Sequence, residues 1–155
     1  MALATVDEVL EEGGVGYTDF KFADDAAFRG WIDRRITWID GKIKLLVGPT
    51  NYSAAYPDIK YAEIFWVIST MLSRKQIALI SSIEGGFAIG SLRIDNATPA
   101  AVGLTQLAQG FFKRAMTMLT PYAVLTRADF LIALDKDEDY EFIAPADRFW
   151  LRMLT

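Results

Sequence analysis

The feature that most constrains the fold is an apolar stripe between Phe28 and Leu46. Its members recur every three or four residues, which is the spacing of one face of a long α-helix; they are Phe28, Ile32, Ile36, Ile39, Ile43 and Leu46. Asp24 or Asp25 can cap its start, and Gly48-Pro49 predicts its end. The residues expected on the opposite, solvent face are Arg34, Arg35, Asp40, Lys42 and Lys44. Such a stripe must pack on other long elements, so the sequence predicts a mainly α bundle.

Three further helices have recognisable ends. Thr5 and Glu8 fit a capping box, which predicts a short helix ending at Gly13-Gly14. After a loop from Gly48 to Pro57, that proline predicts the start of a helix reaching Ile83. The last helix is predicted from Thr98-Pro99 to Pro121, with an apolar stripe made of Leu104, Leu107, Phe111, Ala115, Met118 and Leu119.

The run Ile64–Leu72, IFWVISTML, is apolar nearly all round. It is far shorter than the roughly 20 residues that cross a bilayer, so we predict a buried helix and no membrane contact. A helix of this kind is covered on several sides. Because it has more apolar surface than a small bundle is expected to cover, the run suggests neighbouring subunits.

The stretch EGGFAIGSLRIDN, residues 84–96, interrupts the helical pattern. Gly90-Ser91 is a favoured two-residue turn, and it predicts a β-hairpin over about residues 86–95. In that register Phe87, Ile89, Leu92 and Ile94 share one face, and Arg93 and Asp95 lie on the other. Since a lone hairpin is marginal in water, its apolar face must dock, either on its own helices or on the next subunit.

The C-terminal part, residues 123–155, is predicted as an extension of a core formed by residues 1–122. Phe130–Leu134 and Tyr140–Ile143 have the pattern of short strands, and Pro145–Leu154 that of a last helix. The residues that suggest a docking peptide are Asp147, Arg148, Phe149, Trp150, Leu151, Met153 and Leu154. The alternative is a tail that folds back on its own helices.

Composition excludes much chemistry. The chain has no cysteine and no histidine, which removes thiolate and imidazole metal sites and Cys–His or Ser–His catalysis. The acidic run Asp135–Glu141 does not fit a calcium loop, because the required glycine and acid are Tyr140 and Ala146. We therefore predict no enzyme activity, no metal and no cofactor. The acidic start of the chain does not resemble a signal peptide.

A net charge of −4 argues against a groove that grips DNA through its phosphates. It is compatible with a channel through which DNA passes. Three basic pairs, Arg34-Arg35, Arg74-Lys75 and Lys113-Arg114, are expected to be surface charges or partners in ion pairs between subunits.

Three segments together resemble the small head–tail connector, or adaptor, proteins of tailed bacteriophages. They are FADDAAFRGWIDRRITWIDGKIKLLVG (Phe22–Gly48), GGFAIGSLRID (Gly85–Asp95) and LAQGFFKRAMTMLTPYA (Leu107–Ala123). In that family a helical core carries an extended loop or hairpin of IGxLxI type, and the last helix often ends in a Pro-Tyr pair, here Pro121-Tyr122. The long part after Tyr122 departs from the simplest members.

The resemblance implies a virion protein that assembles in the host cytoplasm as a ring, usually twelve-fold, beneath the portal protein. Such a ring extends the DNA channel without sequence-specific binding and offers a platform for a tail or stopper protein. Phe87–Asp95 would then be the channel or subunit-contact element, and Pro145–Leu154 a candidate portal anchor. The alternative is a non-catalytic helical module that binds or regulates another protein as a monomer or dimer.

Overall fold

The computed structural model describes residues 2–20, 22–84, 90–126 and 128–130; for residues 75–84, 90–102, 104 and 105 it describes the backbone only. The helices are α1 (Val6–Gly13), α2 (Asp25–Ser53), α3 (Pro57–Glu84) and α4 (Gly90–Leu119). Two 3₁₀ turns, Tyr17–Phe20 and Thr120–Tyr122, precede α2 and follow α4. The described residues contain no β-strand, so the prediction of a mainly α fold is confirmed.

Local signals place both ends of α1 and the starts of α2 and α3 where the sequence predicts them. Thr5 and Glu8 form the capping box of α1, and Gly14 ends that helix in the left-handed conformation. Asp24 caps α2 by accepting a hydrogen bond from the Ala27 N–H at 2.7 Å. Pro57 is the first residue of α3, where its missing N–H costs nothing.

Helix α2 bends at Gly48 and continues, whereas the sequence predicts a loop from Gly48 to Pro57. Gly48 has φ +75° and ψ 162°, outside the helical region, and a second helical piece continues from Pro49 to Ser53. The bend leaves the Leu46 carbonyl free to accept a hydrogen bond from the Val124 N–H at 2.8 Å. A Cβ at residue 48 would meet Val124 Cγ2 at 3.1 Å, so both conformation and space favour glycine here.

Helix α3 is central and packs against α1, the first 3₁₀ turn, α2 and α4. The run Ile64–Leu72 is buried apart from Phe65 and Leu72, which are half-buried. The prediction of a buried helix is therefore confirmed. The inference that one chain cannot cover it was wrong, because four elements of the same chain surround it. Its apolar character gives no argument for neighbouring subunits.

The predicted hairpin is not formed. Residues 90–95, which include Leu92, Arg93, Ile94 and Asp95, are the first turns of α4, while Phe87 and Ile89 lie outside the described residues. Ile94, Ala97 and Ala101 continue the helical spacing of the stripe of α4 toward its start. A helix paired along α3 satisfies backbone groups that a marginal hairpin would leave to solvent.

The predicted stripe of α4 is confirmed at Ala115 and Leu119, but elsewhere the buried residue is the one that follows the predicted residue. The structure buries Ala108, Phe112, Ala115 and Leu119. Phe111 and Met118 are half-buried, and Leu107 is 56% exposed. Helix α4 also starts eight residues before Thr98 and passes through Pro99, at the cost of one backbone hydrogen bond.

Ring contacts define the relative direction of α2 and α3. Trp31 lies beside Arg74, and Trp38 lies edge-on to Trp66 with the ring centroids 6.3 Å apart. The two helices are therefore antiparallel, and α2 begins level with the last turns of α3. The last turn of α3 consequently lies at the end of the bundle where α2 starts.

The chain after α4 packs on the core for its first residues. Asn51 Nδ2 donates to the Tyr122 carbonyl at 2.9 Å, and Phe130 is buried against Trp66. Residues 128–130 are helical, so the strand predicted from Phe130 does not begin there. Thr126 and Asp129 cap that turn reciprocally, as Thr126 Oγ1 accepts from the Asp129 N–H. The features predicted after Phe130 lie outside the described residues.

Candidate interaction surface on helices α3 and α4

Adjacent aromatic residues on α3 and α4 form two pairs of opposite character. Trp66 and Phe112 meet edge-on, 5.6 Å between ring centroids, and each is 2% exposed. Phe65 and Phe111 meet at 5.8 Å but are half-buried. Neighbouring residues on a helix point about 100° apart, so the second pair faces out of the bundle.

The outward pair belongs to a larger apolar patch, which we call the aromatic surface. Tyr61 is 49% exposed and its ring lies 6.4 Å from that of Phe65, one turn along α3. Leu107, 56% exposed, precedes Phe111 by one turn on α4. The aromatic surface is defined by Tyr61, Phe65, Leu107 and Phe111.

The cation of Arg114 adjoins this surface. Its guanidinium lies over the Phe65 ring, 5.9 Å from the centroid, and neighbouring Lys113 is exposed. In the part of the chain that the structure describes, neither side chain forms an ion pair. The surface thus combines ring faces with two cations, a composition suited to a partner that is both apolar and acidic.

The other two basic pairs lie elsewhere. Arg35, predicted on the solvent face of α2, is 7% exposed and lies over Trp31 at 5.0 Å from the ring centroid. Arg74 lies over the rings of Phe22 and Trp31, and burial lowers the pKa of its guanidinium. These two arginines converge on Trp31 and help join α2 to α3.

Buried carboxylates form a separate polar cluster on the inner side of α3. Glu63 Oε2 accepts hydrogen bonds from the Leu3 and Ala4 N–H groups at 3.2 and 3.1 Å, which ties the start of the chain to α3. Burial, reinforced by the charge of Asp40 and opposed by these hydrogen bonds, raises the pKa of Glu63 to about 7.

Asp40, expected in solvent, is 6% exposed and accepts hydrogen bonds from Lys44 Nζ at 2.6 Å and from the Tyr52 hydroxyl. Burial and the bond to Asp40 raise the pKa of Tyr52. Each acid in this cluster is thus engaged by a structural donor. The arrangement stabilises the packing of the chain start on α3 and the bend of α2.

No group of acidic side chains in the described residues is arranged to hold a metal ion. Nor does any helix among these residues combine the length and apolarity needed to cross a membrane. Comparison with protein-family models, with curated proteins and with solved structures finds no match.

The predicted contact residues are distributed unevenly in the structure. Leu92, Arg93, Ile94 and Asp95 lie on the first turns of α4, at the end of the bundle where α3 finishes. Phe87, Ile89 and the whole docking segment, residues 147–154, lie outside the described residues.

Sequence reasoning missed the aromatic surface because it assigned Phe65 and Phe111 to the core by helical spacing. The signal was present in the adjacency of Phe65-Trp66 and Phe111-Phe112. Two neighbouring aromatic residues cannot face the same side of one helix.

Proposed function

We propose that this chain is a structural head–tail adaptor of a tailed bacteriophage, which assembles as a ring beneath the portal protein. The ring would extend the DNA channel and offer an attachment platform for a tail or stopper protein. The observation that carries the proposal is the position of the IGxLxI stretch. Its residues 90–94 form the first turns of α4, the longest described helix, at the end of the bundle where α3 finishes.

A contact role for this stretch does not depend on the predicted hairpin, which is not formed. A helical core supports a terminal element that carries the residues proposed for subunit or channel contact. Here the second half of that element, residues 90–95, extends α4 and does not form a strand. Residues on the first turns of a helix 30 residues long are held by the pairing of α3 with α4 and can meet a neighbour at a fixed position.

The charge of the chain also supports a channel role. A net charge of −4 does not hold DNA phosphates, so DNA would slide past without sticking. We place the protein in the virion at the head–tail interface, after assembly in the host cytoplasm. The segment Asp147–Leu154 is the proposed portal anchor.

Negative-stain electron microscopy of the full chain, alone and mixed with the portal protein of the same phage, tests this proposal. We expect an added ring of density beneath the portal in the mixture. Phe87→Asp should abolish that ring without loss of helicity, whereas Leu45→Asp, at a 44% exposed position on α2, should leave it intact. Ring formation by Phe87→Asp would contradict the assigned contact role.

A second candidate function is a non-catalytic module that binds another protein as a monomer or dimer. The observation that favours it is the burial of Ile64 and of residues 66–71 within one chain, which needs no neighbouring subunit. In that case the aromatic surface would be the binding site. Absence of a ring in both microscopy samples, with a folded monomer or dimer, would decide for this candidate.

A further inference from the structure

The aromatic surface is chemically equipped for a partner that the described residues do not provide. Leu107 and Tyr61 are 56% and 49% exposed, while Phe65 and Phe111 keep their rings in contact beneath them. Large side chains at such exposure are compatible with a contact surface. Arg114 and Lys113 at its edge favour an occupant that carries negative charge.

The described chain ends close to this surface. Phe130 lies against Trp66, with ring centroids 6.2 Å apart, and Trp66 is the immediate neighbour of Phe65. Residues 131–155 follow. The distance from Phe130 to the aromatic surface is therefore about one helix diameter, roughly 10 Å.

The sequence that follows Phe130 has the complementary chemistry in a suitable order. The run Asp135–Glu141, DKDEDYE, carries five acids and one lysine. Phe149, Trp150 and Leu151 follow after Pro145. Fifteen extended residues reach about 50 Å, so residues 145–154 can lie along the surface while the acidic run passes Lys113 and Arg114.

We propose that the aromatic surface of α3 and α4 is the docking site for the C-terminal segment of the same chain, residues 131–155. The acidic run pairs with Lys113 and Arg114, and Trp150 with its apolar neighbours covers Phe65 and Leu107. The docked segment masks the apolar patch of a free subunit. This inference concerns the free subunit and does not rest on the adaptor function. Use of residues 147–154 as a portal anchor, or of the aromatic surface as a binding site for another protein, would require the docked segment to leave.

The absence of cysteine in the chain allows a direct accessibility test on the full-length protein. A single cysteine introduced by Leu107→Cys reports on the surface, and Leu45→Cys on α2 is the matched control, since that leucine is 44% exposed. The rate of alkylation by iodoacetamide is measured for each. A segment docked about nine-tenths of the time slows the reaction at residue 107 by about tenfold relative to residue 45.

Trp150→Asp in the Leu107→Cys background should restore the reaction rate to that of the control. Arg114→Glu should restore it in part, whereas Arg34→Glu, at an exposed position of α2, should not. Circular dichroism verifies that each variant is folded, and the test uses only folded variants.

Equal reaction rates at residues 107 and 45 in the unaltered background would overturn the proposal. Protection that weakens on dilution would also overturn it, because the occupant would then be a second copy. Protection that is independent of protein concentration and is lost with Trp150→Asp would support it.

Discussion

Two neighbouring aromatic pairs on the same two helices have different surroundings. The pair Trp66–Phe112 is closed off by Trp38 from α2 and by Phe130 from the segment after α4. Among the described residues, the ring contacts of the pair Phe65–Phe111, one residue earlier on each helix, are with Tyr61 and Arg114. Ring chemistry is nearly the same in both, so the difference lies in what covers each pair.

A helical periodicity in the sequence defines the faces of a helix, but it does not say which face the rest of the chain covers. Every aromatic residue of α3 and α4 fits a helical stripe. Only the tertiary arrangement, with α2 and Phe130 on one side, separates a core pair from a surface pair. Substitutions on the two sides of α3 test that separation.

Trp66→Ala should cause the largest loss of stability. It removes a ring that is 2% exposed and that contacts Trp38, Phe112 and Phe130. Truncation of a buried tryptophan leaves a cavity and costs about 3–5 kcal/mol. The free energy of unfolding, measured in urea, checks this value. A loss below about 1 kcal/mol would show that the pair is not core.

Phe130→Ala should remove the cover from the core pair. Phe130 is 3% exposed and is held by a capped helical turn beyond α4. We expect a loss of about 3 kcal/mol, together with a red shift of tryptophan emission as water reaches Trp66. Unchanged emission would mean that Phe130 does not shield this ring.

The pH dependence of stability that Glu63 causes tests how well the covered side of α3 is shielded from water. Because folding raises its pKa from 4.5 to about 7, the folded state binds more protons than the unfolded state between those pH values. The free energy of unfolding should therefore fall as pH rises from about 4.5 to about 7, by up to about 3 kcal/mol.

Glu63→Gln keeps an oxygen that can accept from the Leu3 and Ala4 N–H groups but removes the charge. In this variant the fall in stability across that pH window should be lost, which urea unfolding at a series of pH values measures. If the stability of the variant still fell with pH as steeply as that of the unaltered chain, the pH dependence would come from another titratable group.

Phe65→Ala should have a smaller effect than Trp66→Ala. The Phe65 side chain is half-buried, and its truncation leaves Tyr61 and Phe111 in place on a side that water can refill. We expect a loss of about 1 kcal/mol in urea unfolding. A loss equal to that of Trp66→Ala would place Phe65 in the core and remove the aromatic surface.

What the sequence could predict depends on the range of the interactions involved. Caps at Thr5 and Asp24 and the start at Pro57 were predicted because a few neighbouring residues determine them. The burial of Asp40 was not, because it depends on Tyr52 reaching back across the bend at Gly48. The pair Gly48-Pro49 indicates that the helix is interrupted there, but it does not indicate the direction in which the following residues continue.

The start of α4 was missed for a different reason. A two-residue turn signal at Gly90-Ser91 competed with a weaker helical period through Ile94 and Ala97. The structure follows the period, since α4 can pair along α3 over its whole length. The portal-anchor role of residues 147–154 and the ring remain proposals.

A double-mutant cycle between Trp150 and each of two adjacent residues of α3, Phe65 and Trp66, tests whether the C-terminal segment lies on the outward side of that helix. Alanine is introduced singly and in pairs in the full chain, and the free energy of unfolding is measured in urea. We predict a coupling of about 0.5–1 kcal/mol between Phe65 and Trp150, and a coupling within about 0.3 kcal/mol of zero between Trp66 and Trp150. Zero coupling for Phe65, or equal coupling for both residues, would contradict the claim that the outward aromatic surface receives the C-terminal segment.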